Sequence, residues 1–156
     1  LIGRVVGDAI VPSRRAGEAL LPGLASTQLT LVIALDTSGS IEVADFRVFV
    51  DELDALKGQV AGRVALIACD AKIAAGMPVW FEPWEPLVLP PELEGGGMTS
   101  FTPVFEWIAR QRLRPDALVY FTDALGEFPS SAPDYPVMWL VKGNGVVPWG
   151  ERVQLN

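Results

Sequence analysis

The chain has 156 residues, the size of one ordinary domain. Half of its residues are apolar and 20% are charged, a balance that fits a globular core and argues against disorder. The net charge of −7 argues against a nucleic-acid partner, since phosphate binding needs clustered Lys and Arg, and no apolar run approaches the roughly 18 residues of a membrane span.

The residue types that are missing restrict the chemistry further. The sequence has no histidine, which excludes His-based acid/base catalysis and His-activated nucleophiles. Its single cysteine, Cys69, cannot form an intrachain disulfide, so we expect a reducing, cytoplasmic compartment. With no imidazole and one thiol, a metal ion would be held by oxygen ligands, which favours Mg²⁺, Mn²⁺ or Ca²⁺.

The first half of the chain predicts a strand–helix–strand unit. Residues 1–27 show poor periodicity and are interpreted as a linker or peripheral arm before a domain over residues 28–156. Residues 29–35 (LTLVIAL) form a near-continuous apolar run typical of a central strand covered on both faces. Apolar residues then recur at helical spacing as far as Gly58, predicting an amphipathic helix. Residues 64–69 (VALIAC) predict a second strand, in which Cys69 is expected to be buried and unreactive.

The second half continues the alternation of strands and helices. Residues 72–81 are interpreted as a loose edge strand, residues 82–94 as a proline-rich loop and residues 102–113 as a helix. Residues 117–121, 137–141 and 153–155 predict further strands. The pattern therefore predicts a three-layer α/β/α sandwich around a mostly parallel, Rossmann-like sheet with one antiparallel edge strand.

Four of the five tryptophans divide into two expected groups. Trp107 and Trp139 lie in predicted elements and are expected to fill the core. Trp80 and Trp84 lie in or beside the proline-rich stretch and are candidates for an exposed patch that binds a partner.

Hydroxyl and carboxylate side chains follow the predicted parallel strands. Loops at the carboxyl ends of parallel strands line one crevice, so polar residues far apart in sequence can converge there. Mg²⁺ takes about six oxygen ligands, and neutral hydroxyls can contact it while two carboxylates balance its charge. Gly39 and the glycines at 95–97 allow tight turns and close approach. The side chains expected to hold the cation are Asp36, Ser38, Ser40, Thr99 and Asp123.

Three motifs resemble those of von Willebrand factor A (VWA) and integrin I-type domains. DTSGS after an apolar strand resembles the DxSxS motif, GGGMTSFTPVF resembles the glycine-threonine loop, and ALVYFTDALG resembles the "TDG" strand end. They follow the family's order over roughly residues 29–155. The resemblance implies a metal ion-dependent adhesion site (MIDAS) on the five residues named above, where a partner's Glu or Asp completes the cation's coordination. It implies a protein-binding domain rather than an enzyme.

Further segments are similar to a bacterial subgroup of VWA-like domains. RR…LPG, IACDAKI, GGGxTSFTPVFEW and PVMWLVKG…PWGERV resemble domains attached to a metallopeptidase-like region and associated with MoxR-type AAA+ ATPases. This implies that the chain is the C-terminal part of a larger bacterial protein. It makes a MoxR-type ATPase a candidate partner, and no nucleic-acid or membrane partner is expected.

Two positions depart from the family's pattern. Met98 stands before Thr99 where relatives usually carry glycine, and Ala124 replaces the glycine of "TDG". Both positions are expected to need backbone angles that glycine tolerates and other residues resist. The two departures therefore bear on the geometry of these loops and, through it, on the affinity for a metal ion.

Other interpretations of the same residues stay open at this point. Ser38 and Ser40 could cap the helix that begins near Glu42. Asp70, which ends a predicted strand, is expected to be a turn residue or to support the metal ligands from behind, and Glu127 to be an exposed loop carboxylate.

The alternatives for the whole domain are a metal-dependent hydrolase or phosphatase with Asp36 as nucleophile, and a metal-free structural domain. The phosphatase pattern needs a second acid where Ser38 stands, and no lysine lies near DTSGS to neutralise a phosphate.

Overall fold

The computed structural model describes residues 29–38, 41–57, 62–90, 93 and 95–155. The expected arm over residues 1–27 and the expected ligand Ser40 therefore lie outside the described residues. The elements in chain order are β1 (Leu29–Asp36), α1 (Val43–Lys57), β2 (Gly62–Cys69), β3 (Val79–Phe81), α2 (Thr102–Arg110), β4 (Ala117–Thr122), β5 (Val137–Lys142) and β6 (Glu151–Leu155).

The strands form one sheet in the order β3-β2-β1-β4-β5-β6. Every neighbouring pair is parallel except β2 with β3, so the expected antiparallel edge strand is confirmed. The edge strand is much shorter than the interpreted segment 72–81. Gly76 has a positive φ of 80° and Pro78 has no N–H to donate, so regular pairing begins only at Val79.

Alternate residues of the central strands face opposite layers. Ile33 and Leu35 of β1 join the apolar cluster that includes α1, whereas Val32 and Ala34 join the cluster that includes α2. On the α1 side, the ring of Phe121 packs against Phe46 and Phe49. The sheet is therefore covered on both faces, which confirms the predicted three layers and explains why residues 29–35 are apolar without alternation.

An aromatic cluster fills the layer on the α2 side. Trp139 of β5 is fully buried and lies within 5.1–5.3 Å, centroid to centroid, of Phe101, Tyr120 and Phe128. Its indole N–H donates to the Trp149 carbonyl oxygen at 2.9 Å, which satisfies the polar end of the buried ring. The core positions expected for Trp139 and Trp107 are confirmed.

Helix α2 ends at Arg110, three residues before the predicted end at Leu113. Arg112 adopts the left-handed region with φ 53°, and its N–H donates to the Ala109 carbonyl while that of Leu113 donates to Ile108. These two hydrogen bonds form a Schellman motif, which usually carries glycine where Arg112 stands. Because no glycine stands at this helix end, the sequence placed the end of the helix three residues too late.

Candidate metal centre

The carboxyl ends of β1, β2 and β4 meet at one edge of the sheet. Asp36, the last residue of β1, pairs in register with Cys69 of β2, and Leu35 beside it pairs with Phe121 of β4. This parallel register brings Asp36 next to Thr122, whose hydroxyl donates to Asp36 Oδ2 at 2.6 Å. The loops after these strands therefore start from neighbouring points.

The Asp36 carboxylate is buried, with 1% of the residue exposed. Its Oδ1 accepts hydrogen bonds from the Ser38 N–H at 3.0 Å and the Ser38 hydroxyl at 2.5 Å. Burial raises the pKa of the Asp36 carboxyl, the hydrogen bonds from Ser38 and Thr122 lower it, and the charge of Asp123 raises it again. The described donors to this carboxylate are all neutral groups, so hydrogen bonding alone does not neutralise it.

Ser38 does not cap the following helix. Helix α1 begins at Val43, five residues further on, and the Ser38 hydroxyl is directed to Asp36. Asp45 caps the first turn of α1 instead, because its Oδ2 accepts the Glu42 N–H at 3.3 Å. The same question for Ser40 lies outside the described residues.

The glycine loop packs directly on the loop that follows β1. The Gly96 N–H donates to the Thr37 carbonyl oxygen at 2.7 Å. A Cβ atom at Gly95 would overlap that oxygen and would lie 2.5 Å from Thr37 Cβ. Gly95 is therefore required for this approach, and Thr37 Oγ1 is left buried without a hydrogen-bond partner among the described residues.

Asp70, at the end of β2, holds the other side of the glycine loop. Its carbonyl oxygen accepts the Ser100 N–H at 3.0 Å, and its Oδ1 accepts the Lys72 N–H at 3.1 Å. A Cβ atom at Gly97 would lie 2.8 Å from Asp70 Oδ2. The hydrogen bond from the Lys72 N–H to Asp70 Oδ1 confirms the expected turn role of Asp70.

Thr99 is held against the loop that follows β4. Its carbonyl oxygen accepts the Glu127 N–H at 3.2 Å, and the Phe101 N–H donates to the Glu127 carbonyl at 2.9 Å. A Cβ atom at Gly126 would lie 2.6 Å from Thr99 Cγ2, so a larger residue there would displace the threonine. Glu127 is exposed, as expected for a loop carboxylate, and contributes backbone contacts to this junction.

Asp123 begins the loop after β4, and its charge acts on Asp36. Its Oδ1 accepts the Leu125 N–H at 2.9 Å. The next residue, Ala124, has φ 63°, so the expected glycine-type backbone is confirmed there. Among the described non-glycine residues only Arg112 and Ala124 have a positive φ. The expectation that Met98 also needs a glycine-type backbone is therefore wrong.

The four expected ligands that the structure describes, Asp36, Ser38, Thr99 and Asp123, thus fall on segments that contact one another. Asp36 and Ser38 are hydrogen-bonded to each other, and the charge of Asp123 raises the pKa of Asp36. The loop that carries Thr99 contacts both the loop after β1 and the loop after β4. Sequence reasoning missed Thr122, which links Asp36 to the Ala124 N–H; its position before Asp123 in the TD pair was the available signal.

The chemistry of these residues fits a hard cation. The expected ligand atoms are all oxygens, and the set includes two carboxylates. The Ser38 hydroxyl donates a hydrogen bond to Asp36 Oδ1, so the lone pairs of the Ser38 oxygen stay available to a cation. The described residues contain no cluster of three or more His, Cys, Asp or Glu side chains suited to a metal, so a cation here would depend on hydroxyl ligands.

Comparison with known proteins decides the family. The family model described as "VWA-like domain (DUF2201)" matches residues 31–156. The chain belongs to this family. Membership in a VWA-like family indicates a protein-interaction module, and the mostly parallel sheet with helices on both faces agrees with the VWA-like fold.

A relative of this VWA-like domain occurs in Thermotoga maritima. It is an uncharacterized protein that is 30% identical over 119 residues, which cover 76% of this chain and 28% of the relative. The chain therefore spans little more than a quarter of the length of that relative. In the part of the chain that the structure describes, no helix is long and apolar enough to cross a membrane.

Proposed function

We propose that this VWA-like domain binds a divalent cation, Mg²⁺ or alternatively Mn²⁺ or Ca²⁺, and uses it to bind an acidic side chain of a protein partner. The observation that carries the proposal is the buried Asp36 carboxylate, whose donors among the described residues are all neutral, at the edge where three loops meet. The residues proposed to hold the cation are Asp36, Ser38, Ser40, Thr99 and Asp123.

Electrostatics supports a cation at this edge. A buried carboxylate is costly unless it is paired or coordinates a metal, and a second negative charge nearby adds to the cost. The ammonium group of Lys142 is 2.6 Å from Asp45, so its charge is engaged there rather than by Asp36. A divalent cation would offset the charges of both carboxylates, and an open coordination position on it would accept a carboxylate oxygen from a partner.

The same residues support binding rather than catalysis. The sequence has no histidine to act as a base, and burial raises the pKa of the Cys69 thiol to about 11, which keeps it protonated at neutral pH. Asp36 accepts hydrogen bonds at both oxygens, which holds it as a structural group rather than a free nucleophile. The proposed cation would supply a fixed site of positive charge.

Asp123→Asn tests the cation site with little change in shape. The asparagine oxygen can still accept the Leu125 N–H, while one of the two negative charges is lost. For the unaltered chain we expect Mg²⁺ to raise the melting temperature, since a ligand at 100 times its Kd adds about 2.7 kcal/mol to the free energy of unfolding. We expect Asp123→Asn to match or exceed the unaltered chain in EDTA and to gain far less from Mg²⁺.

Asp51→Asn is the matched control, because Asp51 is an exposed acid on α1. It should leave the rise in melting temperature from Mg²⁺ unchanged. Isothermal titration with Mg²⁺ and Mn²⁺ should give the unaltered chain and Asp51→Asn the same affinity for the cation, and Asp123→Asn a weaker one. Equal melting temperatures of the unaltered chain in EDTA and in saturating Mg²⁺ would contradict the proposal and favour a metal-free structural domain.

We further propose, from the resemblance to the bacterial subgroup, that a MoxR-type AAA+ ATPase is one such partner. The test is binding of a purified MoxR-type ATPase to the immobilised chain, in Mg²⁺ throughout because the ATPase itself uses it. We expect the unaltered chain and Asp51→Asn to bind alike, and Asp123→Asn to bind much more weakly. Equal binding by all three chains would show that this ATPase does not bind through the cation site.

A further inference from the structure

Three large apolar side chains on or beside the loops of the candidate metal centre are exposed to solvent. Met98, Leu125 and Val146 are 84%, 67% and 78% exposed, although each is a residue type that usually avoids water. Met98 precedes Thr99, and Leu125 follows Asp123 by two residues. We call these three residues the apolar rim.

Backbone contacts tie the apolar rim to the candidate ligands. Ser100 and Glu127 form a parallel bridge, and the Glu127 N–H donates to the Thr99 carbonyl oxygen, so Met98 and Leu125 extend from segments that lie side by side. The Leu125 N–H donates to Asp123 Oδ1. A Cβ atom at Gly145 would overlap the Asp123 carbonyl oxygen, which puts Val146 beside the same loop. The rim therefore adjoins the site.

Charge narrows the kind of partner that this surface fits. The chain carries a net charge of −7, and Asp70 and Glu127 lie on the loops around the candidate centre. A partner with several acidic residues would be repelled by this surface except at the one position that a cation can satisfy. The exposed side chains of Met98, Leu125 and Val146 offer apolar surface, and its burial by a partner would add affinity to that single contact.

We infer that the domain recognises a protein segment that presents one Asp or Glu next to a large aliphatic or aromatic side chain, with the carboxylate at the cation and the apolar side chain on the rim. The inference rests on the proposed function. The rim residues Met98, Leu125 and Val146 determine specificity, and the cation of the proposed function accepts the carboxylate. At a typical protein interface a few side chains carry most of the affinity.

Peptide display tests this preference directly. A library of random heptapeptides on phage is selected on the immobilised 156-residue chain in Mg²⁺ and eluted with EDTA. We expect enriched peptides to carry one acidic residue with Leu, Ile, Met or Phe within two positions of it. For one such peptide, the double variant Met98→Ser with Leu125→Ser should raise the Kd at least tenfold and leave the Mg²⁺-induced rise in melting temperature unchanged.

Val88→Ser is the matched control, because Val88 is 59% exposed but lies in the segment anchored to α1 through the Leu87 N–H and Asp54. It should leave the Kd unchanged. Enriched peptides with basic or polar neighbours around the acid, no EDTA-eluted enrichment, or an unchanged Kd in the rim variant would each overturn this inference. If Mg²⁺ fails to stabilise the unaltered chain, the proposed function falls, and the inference falls with it.

Discussion

Ala124 occupies a backbone conformation that its side chain disfavours. Its φ of 63° lies in the left-handed region, where a Cβ atom costs roughly 1 kcal/mol relative to glycine. The conformation points the Ala124 N–H at Thr122 Oγ1, 2.9 Å away, and the Thr122 hydroxyl in turn donates to Asp36. This local strain therefore accompanies a hydrogen-bonded chain that orients the buried carboxylate.

Replacement of this alanine by glycine should be unusually well tolerated. Ala124→Gly loses a buried methyl group but relieves the left-handed strain, so we expect the free energy of unfolding to change by less than about 1 kcal/mol. Ala34→Gly is the matched control, because it removes a fully buried methyl group from the interior of β1 with no strain to relieve, and it should cost about 1–2 kcal/mol. Urea unfolding at neutral pH measures both, and equal losses would show that Ala124 is unstrained.

At the scale of elements, the glycine loop and the loop after β1 are joined through contacts too close for a side chain. Gly95 has no room for a Cβ atom beside the Thr37 carbonyl, whereas a Cβ atom at Gly96 would meet nothing within 4 Å. Gly96 instead needs its glycine for a φ of 89°. The two neighbouring glycines are thus required for different reasons, one for approach and one for conformation.

Gly95→Ala should separate these two loops. The added methyl group overlaps backbone, which cannot rotate away as a side chain can, so we expect a loss of about 1–3 kcal/mol in the free energy of unfolding. On the proposed function, the gain from Mg²⁺ should fall as well. Gly96→Ala carries only conformational strain of roughly 1 kcal/mol and is the control. A Mg²⁺ gain that survives in Gly95→Ala would indicate that the close contact is unnecessary for the site.

At the scale of the whole molecule, one ion pair joins the start of α1 to the end of β5. Lys142 Nζ lies 2.6 Å from Asp45 Oδ2, between residues 97 positions apart in sequence. The hydrogen bond from Lys142 lowers the pKa of the Asp45 carboxyl below its ordinary value of 3.8. Both side chains are about one third exposed, so solvent screening limits the pair to at most about 1 kcal/mol.

This ion pair predicts a pH-dependent difference between two variants. Because the folded pKa of Asp45 is lowered, its contribution is complete above the unfolded value of 3.8 and is lost as pH falls below it. Lys142→Met should therefore lower the free energy of unfolding by less than about 1 kcal/mol at pH 7, and by progressively less below pH 3.8. In an Asp45→Asn background the same substitution should have a much smaller effect at either pH, as urea titrations can check. A loss that is independent of pH would mean that Lys142 acts through packing.

The sequence predicted the elements most reliably where burial alone determines the pattern. Residues 29–35 and 64–69 are apolar without alternation because both faces of their strands are covered, and both strands are confirmed. The predictions were less accurate where backbone geometry decides, at the end of α2 and in the length of β3. Trp80 is half-buried against Trp107 and Arg63 rather than part of an exposed patch, whereas Trp84 is 77% exposed.

By itself, the sequence determined the three-layer α/β class, the oxygen-only character of any metal site and the family motifs, because these depend on residue type and order. Only the tertiary structure decided that Ala124 is strained and Met98 is not, that Thr122 supports Asp36, and that apolar side chains are exposed on or beside the loops of the candidate centre. Each of these depends on which backbones pair in which register. Register places residues 86 positions apart within hydrogen-bonding distance, and no local pattern in the chain records it.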